Sequence, residues 1–100
     1  MMLASCPRRE VKVMLDEKRL SEMRSRADAA SPGPWKAYVE GRDHESGSSF
    51  IMVGSGPTRA DDIELTGAAP ADYDFVAHAR EDVPLLVDEV RRLRKLLDQR

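Results

Sequence analysis

The residue types best suited to catalysis cluster in one polar stretch near the middle of the chain. It contains an acid, a base and several hydroxyls: Asp43, His44, Glu45, Ser46, Ser48 and Ser49. A general base activates a serine only when the two side chains are held in a fixed hydrogen-bonding geometry. Neighbouring residues in a loop rich in Gly and Ser do not provide that geometry. We therefore interpret the stretch as a solvated turn.

A group of carboxylates further along the chain is the second candidate. Asp61, Asp62 and Glu64 lie close together, and Asp72 and Asp74 can join them. Calcium loops need a fixed ligand spacing, a turn glycine and a terminal bidentate carboxylate, which this segment lacks. We predict no metal site and no cofactor here, and interpret the carboxylates as a solvated acidic face. The alternative use of this face is to bind a small ligand, a cation or a basic partner.

Soft metal ligands and nucleotide-binding motifs are scarce. Cys6 is the one cysteine, which excludes an internal disulfide and favours a reducing cytoplasm. With His44 and His78 it gives too few ligands for a structural zinc site. The sequence contains no Walker loop, no GxGxxG and no GxSxG elbow. We therefore predict no catalytic residue.

Charge and hydropathy narrow the choice of partner. Residues 40–74 carry eight acidic and two basic side chains, a local balance of −6, and the whole chain has a net charge of −2. Nucleic acid is therefore an unexpected partner. The basic side chains near the carboxyl end keep it as an alternative: Arg91, Arg92, Arg94 and Lys95. No apolar run approaches the roughly 18 residues of a membrane helix, so we expect no membrane association.

The chain length of 100 residues suits one core, and the patterns predict a single α+β domain over residues 14–100. Residues 1–13 have no apolar periodicity, and we expect a disordered N-terminal extension. A helix is predicted over 15–30, where apolar residues recur at helical spacing. Ser31–Pro34 ends it because proline lacks a backbone donor.

Three short strands are predicted next, paired as an antiparallel meander. In the first, Trp35, Ala37 and Val39 alternate with polar residues. The second is the apolar run 50–53, and the third is 62–66. We expect Trp35 to be a buried anchor of the first strand, because an aromatic side chain buries a large apolar area.

Two helices are predicted to cover one face of this sheet. The first is short, over 71–80. Asp82 and Pro84 are typical of a new helix start, so a longer helix is expected from there to residue 98. Its apolar residues follow 3, 4, 3, 4 spacing: Val83, Leu86, Val90, Leu93 and Leu97. This pattern fills only two heptads, whereas a coiled coil needs about three or four.

The last turns of this long helix are the predicted interaction surface. A helix over 83–98 spans roughly 24 Å, whereas strands of five residues span only about 17 Å. The predicted surface comprises three leucines and two arginines: Leu93, Leu96, Leu97, Arg91 and Arg94. Exposed leucines of this kind favour a homodimer. The alternative is that the helix packs only within its own core.

Two segments resemble a known group of proteins. Residues 26–35, RADAASPGPW, and residues 71–86, ADYDFVAHAREDVPLL, are similar to the Ead-like proteins, which are small proteins encoded by phages and bacterial genomes. The resemblance covers residues 18–97, and Ser31 stands where threonine is common. The group has no established catalytic residue to carry over. The resemblance therefore suggests an accessory protein, often associated with mobile elements. Taking it together with the leucines of the last helix, we expect a non-catalytic interaction module that self-associates, and a phage- or element-derived modulator of a host protein is one form it can take.

Overall fold

The computed structural model describes residues 15–99, and it confirms the predicted α+β class. The elements are two helices and three strands: α1 (Glu17–Ala29), β1 (Trp35–Tyr38), β2 (Phe50–Val53), β3 (Ala60–Ile63) and α2 (Pro70–Asp98). The predicted N-terminal extension, residues 1–13, lies outside the described residues.

Helix α1 begins and ends where local chemistry requires. The Asp16 carboxylate accepts a hydrogen bond from the Arg19 N–H at 2.9 Å, which satisfies one of the free donors of the first turn. The backbone becomes extended at Ala30, and Pro32 follows shortly after. The predicted helix over 15–30 is thus confirmed apart from its terminal residues.

The sheet is the predicted antiparallel meander, with β2 in the centre. Trp35 pairs with Val53, and Ile51 pairs with Ile63. Side chains alternate across a strand, so one face of the sheet carries the apolar residues that meet α2. The buried cluster contains residues of both layers: Ala37, Val39, Ile51, Val53, Tyr73 and Ala77.

Tyr73 of α2 connects the helix to the sheet edge and fixes where β3 ends. Its hydroxyl accepts a hydrogen bond from the Leu65 N–H at 2.9 Å and lies 3.2 Å from the carbonyls of Ser49 and Leu65. The backbone of Leu65 therefore bonds to a side chain instead of to β2. The predicted third strand, 62–66, is wrong at both ends, because β3 spans Ala60–Ile63.

The predicted break between two C-terminal helices is also wrong. Helix α2 is continuous over 29 residues, with Pro84 inside it. A proline within a helix loses the bond to the carbonyl four residues earlier and costs about 3 kcal/mol. The continuous helix buries Tyr73 and Ala77 against the sheet and, further along, Val87 beside α1. A break at Asp82 would separate these contacts, so tertiary packing overrides the local signal.

Trp35 is half-buried, not fully buried as the sequence suggests. Its side chain packs against the edge of the core cluster, and its indole Nε1 donates a hydrogen bond to the Ser31 carbonyl at 3.2 Å. One side of the ring lies open toward the space between α1 and α2. Trp35 therefore contacts the core cluster and also borders the space between the two helices.

Removal of the Tyr73 hydroxyl tests the link between α2 and the sheet edge. Tyr73→Phe leaves the Leu65 N–H without its partner, and we expect a loss of about 1–3 kcal/mol in the free energy of unfolding. Urea denaturation followed by circular dichroism measures this. The matched control is Tyr38→Phe, because the Tyr38 hydroxyl has no hydrogen-bond partner among residues 15–99. Equal stability of the two variants would contradict the assignment.

Candidate interaction site

An apolar groove runs between α1 and α2. The helices are antiparallel: Glu17 at the start of α1 lies 2.7 Å from Arg91, and Ser31 just after its end lies 2.9 Å from Arg80. The groove has a volume of about 720 Å³. Its walls are apolar side chains of both helices: Leu20, Met23 and Ala27 from α1, and Val83, Leu86 and Val90 from α2.

The groove stays open because α1 presents short side chains there. Leu20 of α1 and Val87 of α2 are both buried, so the helices are in firm contact at this level. Beyond Arg26 the groove is lined by Ala27 and, just after the end of α1, by Ala30, whose methyl groups fill little of the space between two helices. The result is an apolar concavity, the shape that ligand and helix-docking sites share.

Ion pairs hold the other edge of the helix pair. The Arg91 guanidinium donates to Glu17 at 2.7 Å and to the Ser21 hydroxyl at 3.0 Å. Arg24 lies 3.4 Å from Asp88. Exposed pairs of this type contribute at most about 1 kcal/mol each. They fix how the two helices align but do not close the groove.

Exposed leucines line the outer wall of the groove and continue beyond it. The side chains of Leu86, Leu93 and Leu97 are 61%, 47% and 60% exposed, and they lie on one stripe of α2. Leu96 is equally exposed on a neighbouring stripe. A row of exposed leucines on a helix is the kind of patch that marks an interaction surface.

Two arginines of the predicted interaction surface contact their own chain. Arg91 bonds to Glu17, as described above, and the Arg94 guanidinium donates to the Leu15 carbonyl. The start of α1 therefore reaches the last turns of α2, yet Leu93 and Leu97 remain exposed. The sequence could not distinguish these roles, since arginine suits either a partner or an intramolecular ion pair.

The acidic face lies on and beside the edge strand β3. Asp61, Asp62 and Glu64 are all exposed, and Asp62 forms an ion pair with Arg59 at 2.6 Å. Within residues 15–99, no three His, Cys, Asp or Glu side chains converge in a way that would hold a metal ion. The carboxylates of this face are dispersed over the surface.

The hairpin between β1 and β2 uses its chemically active side chains to hold itself together. His44 packs near the rings of Tyr38 and Phe50, with centroids 6.3 and 5.1 Å away. Its Nδ1 accepts the Ser46 N–H at 3.1 Å and contacts the Ser46 hydroxyl at 2.7 Å. Glu40 also approaches Nδ1, at 3.5 Å. A catalytic triad needs its acid and its serine on opposite ring nitrogens, so this arrangement cannot relay a proton between them.

Arg42 ties this hairpin to α2, a link that the sequence did not reveal. Its guanidinium bonds to both oxygens of Asp74, at 2.9 and 3.0 Å, and also to Asp43. Asp43 in turn accepts the Val39 N–H at 2.8 Å. The Arg42 hydrogen bonds hold the pKa values of the Asp43 and Asp74 carboxyls below their ordinary range.

Comparison of the chain with protein-family models, with curated proteins and with solved structures found no match. No helix within residues 15–99 is both long enough and apolar enough to cross a membrane. The case for a function therefore rests on the geometry of the groove and its leucines.

The role of Arg42 predicts a specific dependence on pH. A carboxyl whose pKa is lowered in the folded state stabilises the fold above its unfolded pKa, near 3.9, and this contribution is lost as the pH falls through the folded pKa. In Arg42→Gln we expect the pKa values of Asp43 and Asp74 to rise toward 3.9, measured by NMR titration of the carboxyl carbons. Arg59→Gln, which removes a different exposed guanidinium, should leave both values unchanged. Identical titration curves in the Arg42 variant and the wild type would refute the link.

Proposed function

We propose that the protein is a non-catalytic, cytoplasmic interaction module that works as a homodimer, with α2 of each copy lying along the groove of the other. The single observation that carries this proposal is the continuity of α2.

Because α2 is continuous through Pro84, its apolar repeat extends toward the start of the helix. The helix has no break at Asp82, so the 3, 4 spacing runs from residue 76 to residue 97. The repeat contains seven positions: Val76, Ala79, Val83, Leu86, Val90, Leu93 and Leu97. These span three heptads, the length at which an apolar repeat begins to favour a coiled coil.

The repeat forms two neighbouring rows on α2. In heptad notation the first row occupies the a positions; Val83 and Val90 of this row line the groove, and Leu97 is exposed beyond it. The second row occupies the d positions; Leu86 of this row stands exposed at the groove, and Leu93 is exposed beyond it. A helix placed along the groove covers both rows at once. A second copy of α2 has leucines with the same spacing. In a two-fold symmetric pair each copy therefore buries its apolar repeat against the repeat of the other.

Burial of these leucines supplies the driving force for pairing. Each fully buried leucine contributes about 1.5–3 kcal/mol relative to an exposed one. Three of them per chain lie on the repeat, namely Leu86, Leu93 and Leu97. The same burial would offset the entropy lost when two chains associate.

Two of the four basic residues near the end of α2 are already paired with carboxylates, which weakens the alternative of nucleic acid as the partner. Arg91 contacts Glu17, and Arg92 pairs with Glu89 at 2.6 Å. Neutralised guanidinium groups contribute little to phosphate binding. The resemblance to Ead-like proteins supports a role in which the dimer engages a host protein. Asp61 and Glu64, which form no ion pair within residues 15–99, offer that protein an acidic face.

Glutamate substitutions in the repeat test the dimer. Leu93→Glu combined with Leu97→Glu places four charges in the proposed interface, and we expect sedimentation velocity to show a monomer in place of a dimer. Circular dichroism should retain the helical signal, since both residues are exposed within the single chain.

The matched control is Leu85→Glu, a leucine 67% exposed on another side of α2. This variant should remain a dimer. If the wild-type protein sediments as a monomer at high concentration, the proposal fails and α2 serves only its own core.

A further inference from the structure

The types of residue in the apolar repeat point to one orientation of the paired helices. Three of the a positions are valine: Val76, Val83 and Val90. The d positions in the exposed part of the repeat are leucine: Leu86 and Leu93. β-Branched residues at a with leucine at d favour two helices that run parallel. The sequence pattern thus carries information on orientation as well as on pairing.

The charges beside the repeat support the same orientation. The e positions carry Arg80, Val87 and Arg94, and the charged g positions are Asp82 and Glu89. Asp82 would face Val87 in a parallel pair, so the charge argument depends on Glu89. In a parallel pair each g residue faces the e residue five positions later in the other copy, which sets Glu89, already paired with Arg92 of its own chain, opposite Arg94 of the second chain. The Arg94 guanidinium donates to the neutral Leu15 carbonyl, so within residues 15–99 its charge has no carboxylate partner. In an antiparallel pair, g faces g and e faces e, so like charges meet. Repulsion between these like charges disfavours the antiparallel pair.

The position of Phe75 also favours the parallel orientation. Phe75 also occupies a g position and is 75% exposed, the most exposed large apolar residue of α2. Five positions later stands Arg80, whose Nε donates to the Ser31 carbonyl and whose guanidinium has no carboxylate partner among residues 15–99. In a parallel pair the guanidinium of one chain meets the ring of the other, a favourable cation–π arrangement. The antiparallel pair offers Phe75 no such contact.

We propose that two copies of the chain pair through α2 in parallel and in register, so that each residue of the repeat meets its own counterpart. This inference rests on the proposed homodimer and adds its orientation. Because the sheet packs near the start of α2, a parallel pair displays both sheets at one end of the dimer. The acidic face of β3 is then presented twice on the same side, which suits a partner with two basic sites.

Engineered cysteines test the orientation directly. Cys6 is first replaced by serine, since it is the one native cysteine. Leu86→Cys and Leu97→Cys are then made separately and oxidised, and cross-linked dimer is measured on non-reducing gels. A disulfide requires Cα atoms within about 7 Å. The two positions are roughly 16 Å apart along the helix, so only a parallel, in-register pair lets both cross-link to themselves. Leu85→Cys, outside the repeat, should not cross-link.

The outcomes separate the orientation from the dimer itself. Efficient cross-linking at both Leu86 and Leu97 supports the parallel pair. Cross-linking at one position or at neither, in a protein that sediments as a dimer, overturns the orientation and leaves the proposed function standing. A wild-type protein that sediments as a monomer overturns both.

A charge reversal gives an independent readout that does not depend on cysteine packing. Glu89→Arg places two like charges together in a parallel pair, so we expect the dimer dissociation constant to rise several-fold. Addition of Arg94→Glu should restore it toward the wild-type value. In an antiparallel pair residue 89 does not face Arg94 of the second chain. Arg94→Glu would then not restore the dimer affinity of Glu89→Arg. Absence of rescue therefore contradicts the parallel arrangement.

Discussion

Helix α2 packs against the sheet near its start and against α1 further along, and the rest of the structure depends on these two contacts. Tyr73 and Ala77 near the start of α2 are buried against the sheet, and Val87, further along, is buried beside α1. Both contacts can form only if the helix continues through Pro84. The apolar area covered at the two sites offsets the roughly 3 kcal/mol that an internal proline costs. The unbroken helix is therefore a product of tertiary packing.

The groove follows from this arrangement. A helix fixed at two points cannot move to fill space between itself and α1, and the alanines of α1 are too short to fill it. Ion pairs such as Arg91 with Glu17 hold the helices in register on one side only. The exposed leucines of α2 then stand beside an apolar concavity on the same molecule. The proposed dimer uses both features, because a second α2 covers the leucines and occupies the groove together.

The side chains that looked most capable of chemistry serve the architecture instead. Asp43 bonds to the Val39 N–H and to Arg42, and His44 bonds to Ser46 and packs near Phe50. Arg42 extends this network to Asp74 of α2. Polar groups in a long hairpin need partners when the chain folds back on the sheet. The network supplies them and anchors the loop to the helix.

The sequence by itself determined the features that depend on local spacing. Apolar periodicity located α1, the alternating pattern located β1, and a short apolar run located β2. The leucine stripe of α2 and the acidic residues on and beside β3 were also visible in the sequence. Only the tertiary structure decided the features that depend on distant residues. Asp82 and Pro84 favour a new helix start locally. No local pattern indicates that the residues before and after them form one helix that packs against both the sheet and α1. Likewise, Tyr73 shortens β3 through a hydrogen bond to Leu65. Spacing along the chain encodes which face of an element is apolar, whereas continuity, register and grooves arise from contacts that form only when the elements meet.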